Sequence, residues 1–195
     1  LYDLTELQRD ANKKFKLSAQ DTLKIAQALY ETHKIITYPR TSSRYLSTDM
    51  APKLNERIQN LTKIPDYSPL ATELTKNKKI KTTKRIIDDK KVTDHHAIIP
   101  TEKTANLSQL SPQEHKVFDL IIKRFLAVFM PECIKDLTEI ITQVGSHEFK
   151  TTGTMITQEG WRSVYKEDKK DKTDLLLPTV KKDDPITHTK LTCPE

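Results

Sequence analysis

Residues 34–47 read KIITYPRTSSRYLS, so an apolar run ends on Tyr38 and Pro39 is followed at once by Arg40. These three types in this order can perform phosphoryl chemistry. A free phenol titrates near about 10 and is a weak nucleophile at neutral pH, but a neighbouring cation favours the phenolate. If residues 38–40 are extended, alternate side chains share a face, which puts Arg40 beside Tyr38. A guanidinium also grips phosphate oxygens in a fork and stabilises charge that builds on them. Pro39 stiffens the link by fixing its own φ. A covalent phosphotyrosine would divide one difficult cleavage into two reversible steps. On spacing alone a second reading stands beside this one: a strand-end tyrosine with its ring in the core and its hydroxyl at the surface.

The second candidate is Asp94-His95-His96 in VTDHHAIIPT. On an extended segment the two imidazoles point to opposite sides, so one of them faces a given site. A histidine there can donate a hydrogen bond to a phosphate or carry a proton, and Asp94 could fix its tautomer. A metal-dependent phosphohydrolase built on His95 and His96 is disfavoured, because the further ligands that zinc spacing requires are lacking. The alternative is a pair that simply flanks the apolar AIIP anchor. Lys13, Lys14, Lys16, Lys24, Lys34, Arg40 and Arg44 surround these elements. They could neutralise a nucleic-acid backbone, although charge runs are commonly solvated faces.

Composition narrows the classes. The chain has 195 residues, 35% hydrophobic and 31% charged, with a net charge of +6, which suits nucleic acid without requiring it. No apolar run reaches the roughly 20 residues of a membrane-spanning helix. All three glycines lie at Gly145, Gly153 and Gly160, so residues 1–144 hold neither a phosphate-binding loop of the GxxxxGKT type nor a GxGxxG fingerprint. Cys133 and Cys193 form no CxxC, so neither a disulfide framework nor a zinc site is expected. With Leu1 in place of a methionine, the chain reads as an internal piece or a processed protein.

The elements that must position these residues follow from periodicity. Leu4, Leu7, Ala11 and Phe15 make one helical stripe. Ser18 reads as an N-cap, with Asp21 in the capping-box position, for a helix with an apolar face of Ala19, Leu23, Ala26, Leu29 and Tyr30. A short strand at 35–38 follows. Further helices are expected from Ser47 or Thr48 to Leu61, after Pro69, and from the Ser111-Pro112-Glu114 cap through Val128. Residues 76–94 read as a mobile basic loop. DLTEIITQV and EFKTTGTMIT approach alternation and are joined at a GSH hairpin, and 185–193 reads as a last strand. The expected architecture is α+β: a mainly helical, tyrosine-bearing domain over 1–134, then a β-rich segment over 135–195.

Taken together, SAQDTLKIAQALYETHKIITYPRTSSRYLS, VTDHHAIIPT, KVFDLIIKRFLAVFMP and EGWRSVY resemble, in order and spacing, a type IA DNA topoisomerase of the bacterial topoisomerase III branch. The resemblance implies that Tyr38 attacks single-stranded DNA and becomes linked to its 5′ phosphate. It also implies that Arg40 stabilises the transition state and that His95 contacts the scissile region. Gln27, Thr41, Ser43, Arg44 and His96 are the implied DNA-contacting set. The family commonly reads Thr-Asp-Ser after the arginine, whereas this chain has Thr41-Ser42-Ser43. Ser42 could replace the acid only through a weaker, uncharged hydrogen bond. The resemblance further implies Mg²⁺ bound by an N-terminal acidic domain of the toprim type, which is not read here, and no metal ligand within this chain. It implies a monomeric, cytoplasmic, nucleoid-associated bacterial enzyme, with 135–195 as part of a β-rich gate and with this segment inactive by itself. A catalytically silent nucleic-acid-binding module of the same fold is the alternative.

Overall fold

The computed structural model describes residues 1–76, 80, 82–168, 177 and 180–185. The chain divides into two compact units. The first joins Leu1–Glu132 to Glu159–Glu167, and the second is built on Cys133–Gln158. The Trp161 patch, which the sequence places with the β-rich segment, therefore groups with the helices. The expected strand at 185–193 lies mostly outside the described residues. Among the described residues no helix is long and apolar enough to cross a membrane.

The helices begin where their caps dictate. Asp3 caps α1 (Leu4–Phe15) by accepting from the Glu6 amide at 2.7 Å. Ser18 caps α2 (Ala19–Glu31) by accepting from the Asp21 amide at 3.0 Å. The box is not closed: the Asp21 carboxylate accepts a hydrogen bond from the Ser18 hydroxyl at 2.6 Å and not from the Ser18 backbone amide. Before α5 (Pro112–Ala127) the box is complete, with Ser111 and Glu114 exchanging bonds at 2.8 and 3.3 Å. The stretch expected as one helix to Leu61 is a 3₁₀ turn, Thr48–Lys53, followed by α3 (Leu54–Leu61). Pro52 has no N–H to give to a continuous α-helical ladder. α4 spans Ser68–Thr75.

α5 is buried along most of its length through Val117, Phe118, Leu120, Ile121, Ile122, Phe125 and Leu126, and α2 packs against it and against α1. Each such side chain contributes on the order of 1.5–3 kcal/mol by leaving water. The buried face of α2 is Thr22, Ile25, Ala26 and Leu29. That face is rotated from the expected one, and it leaves Ala19 and Tyr30 exposed. Lys34 then adopts φ 58°, the left-handed geometry that ends a helix. The Ile35 amide returns to the Leu29 carbonyl at 3.0 Å, and the chain leaves α2 extended.

Two expectations change here. Residues 35–38 form an isolated antiparallel bridge, Ile36 to Pro100, in place of a regular strand. The Thr37 amide donates to Ile99 O at 2.9 Å and the Thr101 amide to Ile35 O at 3.1 Å, but Pro100 has no N–H with which to extend the ladder. The described part of 76–94 is tied down: Ile86 is buried and Leu46 pairs in parallel with Ile87. Thr48 holds Asp89 through both its amide and its hydroxyl.

Gly160 shows why the chain can return to the first unit. Its φ is 50°, and a Cβ there would stand 2.3 Å from the Glu132 carbonyl oxygen. The Trp161 amide donates to Pro131 O at 2.9 Å, and Val164 packs with Ala127 and Met130. In the second unit β1 (Ile134–Val144) pairs antiparallel with β2 (His147–Gln158). Gly145, at φ 60°, opens the two-residue turn between Val144 and His147.

Candidate active site

The bridge places Tyr38 at the end of a short, well-anchored extended segment. Ile35 and Ile36 are buried beneath it. Thr37 binds the facing segment with its side chain as well, donating Oγ1 to Ala97 O at 3.2 Å while accepting from the Ile99 amide at 3.0 Å. Across this junction the Tyr38 ring meets His95, with centroids 4.4 Å apart and planes at 51°. Tyr30, from the last turn of α2, meets Tyr38 edge-on at 5.4 Å. The Tyr38 ring is half-buried and its hydroxyl is engaged by no described residue. Two aromatic neighbours therefore restrain the ring, while its hydroxyl stays uncommitted among the described residues.

Arg40 is not delivered by continuation of the strand. The chain bends at Pro39, and the Thr41 amide closes back on Pro39 O at 3.0 Å, with Arg40 at the apex of the turn. This replaces the extended Tyr38–Arg40 geometry expected from spacing. Pro39 is buried and Arg40 is exposed, with no ion pair to a described residue. A charge so placed remains available to an incoming anion.

Thr41 and Ser43 turn inward. Thr41 Oγ1 donates to the His95 carbonyl at 2.7 Å, and Ser43 Oγ donates to the Lys91 carbonyl at 2.9 Å. Both residues are buried, so their hydroxyls fix the loop and are not displayed at the surface. The Tyr45 carbonyl accepts the Ala97 amide at 2.9 Å, which adds a third tie between the two loops. Ser42 is exposed, 3.5 Å from the Thr93 hydroxyl. Arg44 is committed elsewhere: Nε donates to Asp3 at 2.7 Å and a terminal nitrogen lies 3.2 Å from Glu6. Hydrogen bonding to Asp3 raises its pKa further. Gln27 sits half-buried on α2, three residues before Tyr30, with no described hydrogen-bond partner.

The two histidines divide as alternation requires. His95 is exposed against Tyr38, while His96 is half-buried and points its Nδ1 at the Ala97 carbonyl, 2.8 Å away. A carbonyl only accepts, so Nδ1 carries the proton in the neutral ring. Burial lowers the His96 pKa, and the Arg57 and His95 charges act in the same direction; the Ala97 bond and Asp49 oppose them. The unfolded chain therefore binds this proton more readily than the folded one, so stability is complete above about pH 6.5 and falls as the pH drops below it. Thermal unfolding followed from pH 8 to 5 is expected to show that decline, with a smaller slope in His96→Gln.

Sequence reasoning passed over Tyr30 as part of this site, Asp3 as the anchor of Arg44, and Arg57. Arg57 had a signal: it occupies the inward position of the stripe Leu54, Arg57, Ile58, Leu61. Among the described residues no three His, Cys, Asp or Glu side chains gather as metal ligands.

The whole chain, residues 1–195, matches the family model described as DNA topoisomerase. The chain belongs to the DNA topoisomerase family. It is 44% identical to DNA topoisomerase 3 of Bacillus subtilis (strain 168) over 197 residues, which is 98% of this chain and 27% of that protein. It is 48% identical to DNA topoisomerase 3 of Bacillus thuringiensis (strain Al Hakam) over 193 residues, 96% of this chain and 26% of the relative. Among solved structures, full-length topoisomerase I from Thermotoga maritima superimposes with a TM-score of 0.62 at 26% identity, covering 92% of this chain and 28% of that one. The type IA, topoisomerase III resemblance and the α+β class read from the motifs agree with these relatives. The topoisomerase chain spans about a quarter of the length of the curated relatives it matches.

Proposed function

We propose that this chain is the nucleophile-bearing part of a type IA DNA topoisomerase that cleaves and rejoins single-stranded DNA. The observation that carries the reading is the restrained but uncommitted Tyr38 hydroxyl, with its ring against His95 and the exposed Arg40 two residues away. In the forward step Tyr38 Oη attacks a backbone phosphorus. The new O–P bond forms as the bond from phosphorus to the 3′ oxygen breaks. The phenol loses its proton and the departing 3′ oxygen gains one. The product is a 5′-phosphotyrosine and a free 3′ hydroxyl, and the reverse attack restores the strand.

One phosphodiester replaces another, so the exchange is close to isoenergetic and needs no ATP. Catalysis then rests on placement and charge stabilisation. Arg40 is the group that offsets the charge building on the phosphate oxygens. His95 is placed to hydrogen-bond the scissile region. Thr41 and Ser43 hold the two loops together through the His95 and Lys91 carbonyls. Strand passage, whether it relaxes or decatenates DNA, belongs to the full-length protein in this reading, as does the Mg²⁺ site outside this chain. Monomeric state and association with the nucleoid are part of the same proposal.

The test is adduct mapping. A full-length topoisomerase carrying this segment is mixed with single-stranded DNA, quenched with detergent and digested. The reading expects one nucleotide-modified peptide, with the modification on Tyr38. A modification at any other residue removes the assignment. No adduct, with DNA still bound, favours a silent binding module, to which Ser42 in the position of the usual acid would contribute.

A further inference from the structure

Arg57 and Asp3 are the charged residues buried among the described ones, and Arg57 is 5% exposed. A buried guanidinium is costly unless its donors are met, and an apolar residue of similar size is commonly as stable or more so in such a place. Here the donors are met unevenly. Nη1 gives its shortest bond, 2.7 Å, to the Pro100 carbonyl, a neutral acceptor. The Glu102 carboxylate lies 3.3 Å from Nη2 and is half-exposed. Nε is buried with no partner. Burial accordingly lowers the Arg57 pKa against the pull of Glu102.

The carbonyl that receives the bond has a particular place. Pro100 is the bridge partner of Ile36, two residues before Tyr38, and it lies in the buried 97–100 run that continues from His95. Pro100 has no N–H of its own, so the junction between residues 35–38 and 95–101 is short of backbone bonds at that point. α3 supplies what is lacking. Arg57 takes the Pro100 carbonyl, and one turn later Asn60 donates to the Glu102 carbonyl at 2.6 Å. The register of this junction decides whether the His95 ring stands against Tyr38.

We infer that Arg57 is a positioning residue for the Tyr38–His95 pair, holding the His95-bearing segment in register through the Pro100 carbonyl. The inference rests on the proposed role of Tyr38. It requires that a donor at position 57 matter for cleavage and much less for DNA binding.

The experiment uses a full-length topoisomerase carrying this segment, as wild type, Arg57→Lys, Arg57→Gln and Arg57→Met. It measures single-turnover cleavage of 3′-labelled single-stranded DNA, non-covalent affinity for the same DNA, and the thermal midpoint. At a temperature where each protein is fully folded, Arg57→Met is expected to cleave about ten- to a hundredfold more slowly, as a misplacement of about an ångström would cause. Its affinity should stay within about threefold, since phosphate contacts elsewhere supply most of that binding. Arg57→Lys, which keeps a charged donor, should recover most of the rate, and Arg57→Gln should fall between the two. Wild-type cleavage by folded Arg57→Met, or equal loss in Lys and Met, overturns the inference. If the Met protein does not fold, the Gln protein decides, and wild-type cleavage by folded Arg57→Gln overturns it. Absence of any adduct in the wild type would remove the Tyr38 reading and this inference with it; an adduct in the wild type with no effect of position 57 removes the inference alone.

Discussion

In a full-length topoisomerase carrying this chain, Tyr38→Phe is expected to abolish the covalent DNA adduct while leaving the protein folded and able to bind single-stranded DNA. The change deletes one oxygen. The ring remains, so the contacts with His95 at 4.4 Å and Tyr30 at 5.4 Å remain as well. The lost hydroxyl bonds to no described residue, so stability should move by no more than about 0.5 kcal/mol, as for a substitution that breaks nothing. Non-covalent affinity should hold, because phosphate contacts to basic side chains supply most of it. Adduct formation has no comparable reserve. A water molecule attacking in place of the phenol would leave nicked DNA without protein attached, so the assay must separate adduct from nick. With 3′-labelled DNA the label should cease to migrate with protein after detergent. Label still attached to the Tyr38→Phe protein would move the nucleophile to another residue.

Much of this arrangement was legible because local chemistry determined it. Ser111, Pro112 and Glu114 specify the start of α5 without help from the rest of the chain, and the complete box is found there. Asp21 illustrates the limit of such a rule. It stands in the right place but accepts from the Ser18 hydroxyl, since its shorter side chain does not close the reciprocal bond. The face of α2 was misjudged by one step because Thr22 and Ile25 are buried by contacts that no periodicity reports. The basic run after Lys76 hid Ile86 and Ile87, whose partner Leu46 lies about forty residues earlier.

At the site, the residue types were legible and their connections were not. Tyr38, Arg40 and His95 stand out by type, yet the tilted contact of Tyr38 with His95 spans residues 38 to 95 and rests on the bridge at Ile36 together with the Thr37, Thr41 and Tyr45 bonds to the facing segment. Thr41 and Ser43 are implied by the resemblance as DNA contacts, and nothing in their spacing points to partners within the chain. Only the packed loop shows that their protons go to the carbonyls of His95 and Lys91. Arg57 was hidden for the opposite reason. A helical arginine is ordinarily exposed, and its inward place in the stripe of α3 outweighs that habit only once Pro100 is seen beneath it.

Arg40→Ala should separate charge stabilisation from DNA anchoring. Arg40 is exposed at the apex of its turn and pairs with no described residue, so its removal leaves no buried partner unsatisfied and should leave the thermal midpoint unchanged. If the guanidinium acts where charge builds up on the phosphate, the cleavage rate falls by about 10²–10³, the usual effect of losing one preorganised donor to a developing oxyanion. If it only holds the strand, affinity falls and the rate at saturating DNA does not. Either role removes one phosphate contact, so the slope of log affinity against log salt should become shallower by about 0.7 for a single strand. The two roles therefore share the salt effect and differ in the rate. Arg40→Lys sharpens the distinction, because an ammonium keeps the charge and the salt slope but cannot grip two oxygens at once. The expected order at saturating DNA is Arg, then Lys, then Ala, with most of the loss already present in Lys if the forked geometry matters. An Ala variant that cleaves at the wild-type rate once saturated would leave Arg40 as an anchor alone and return the burden of charge stabilisation to residues outside this chain.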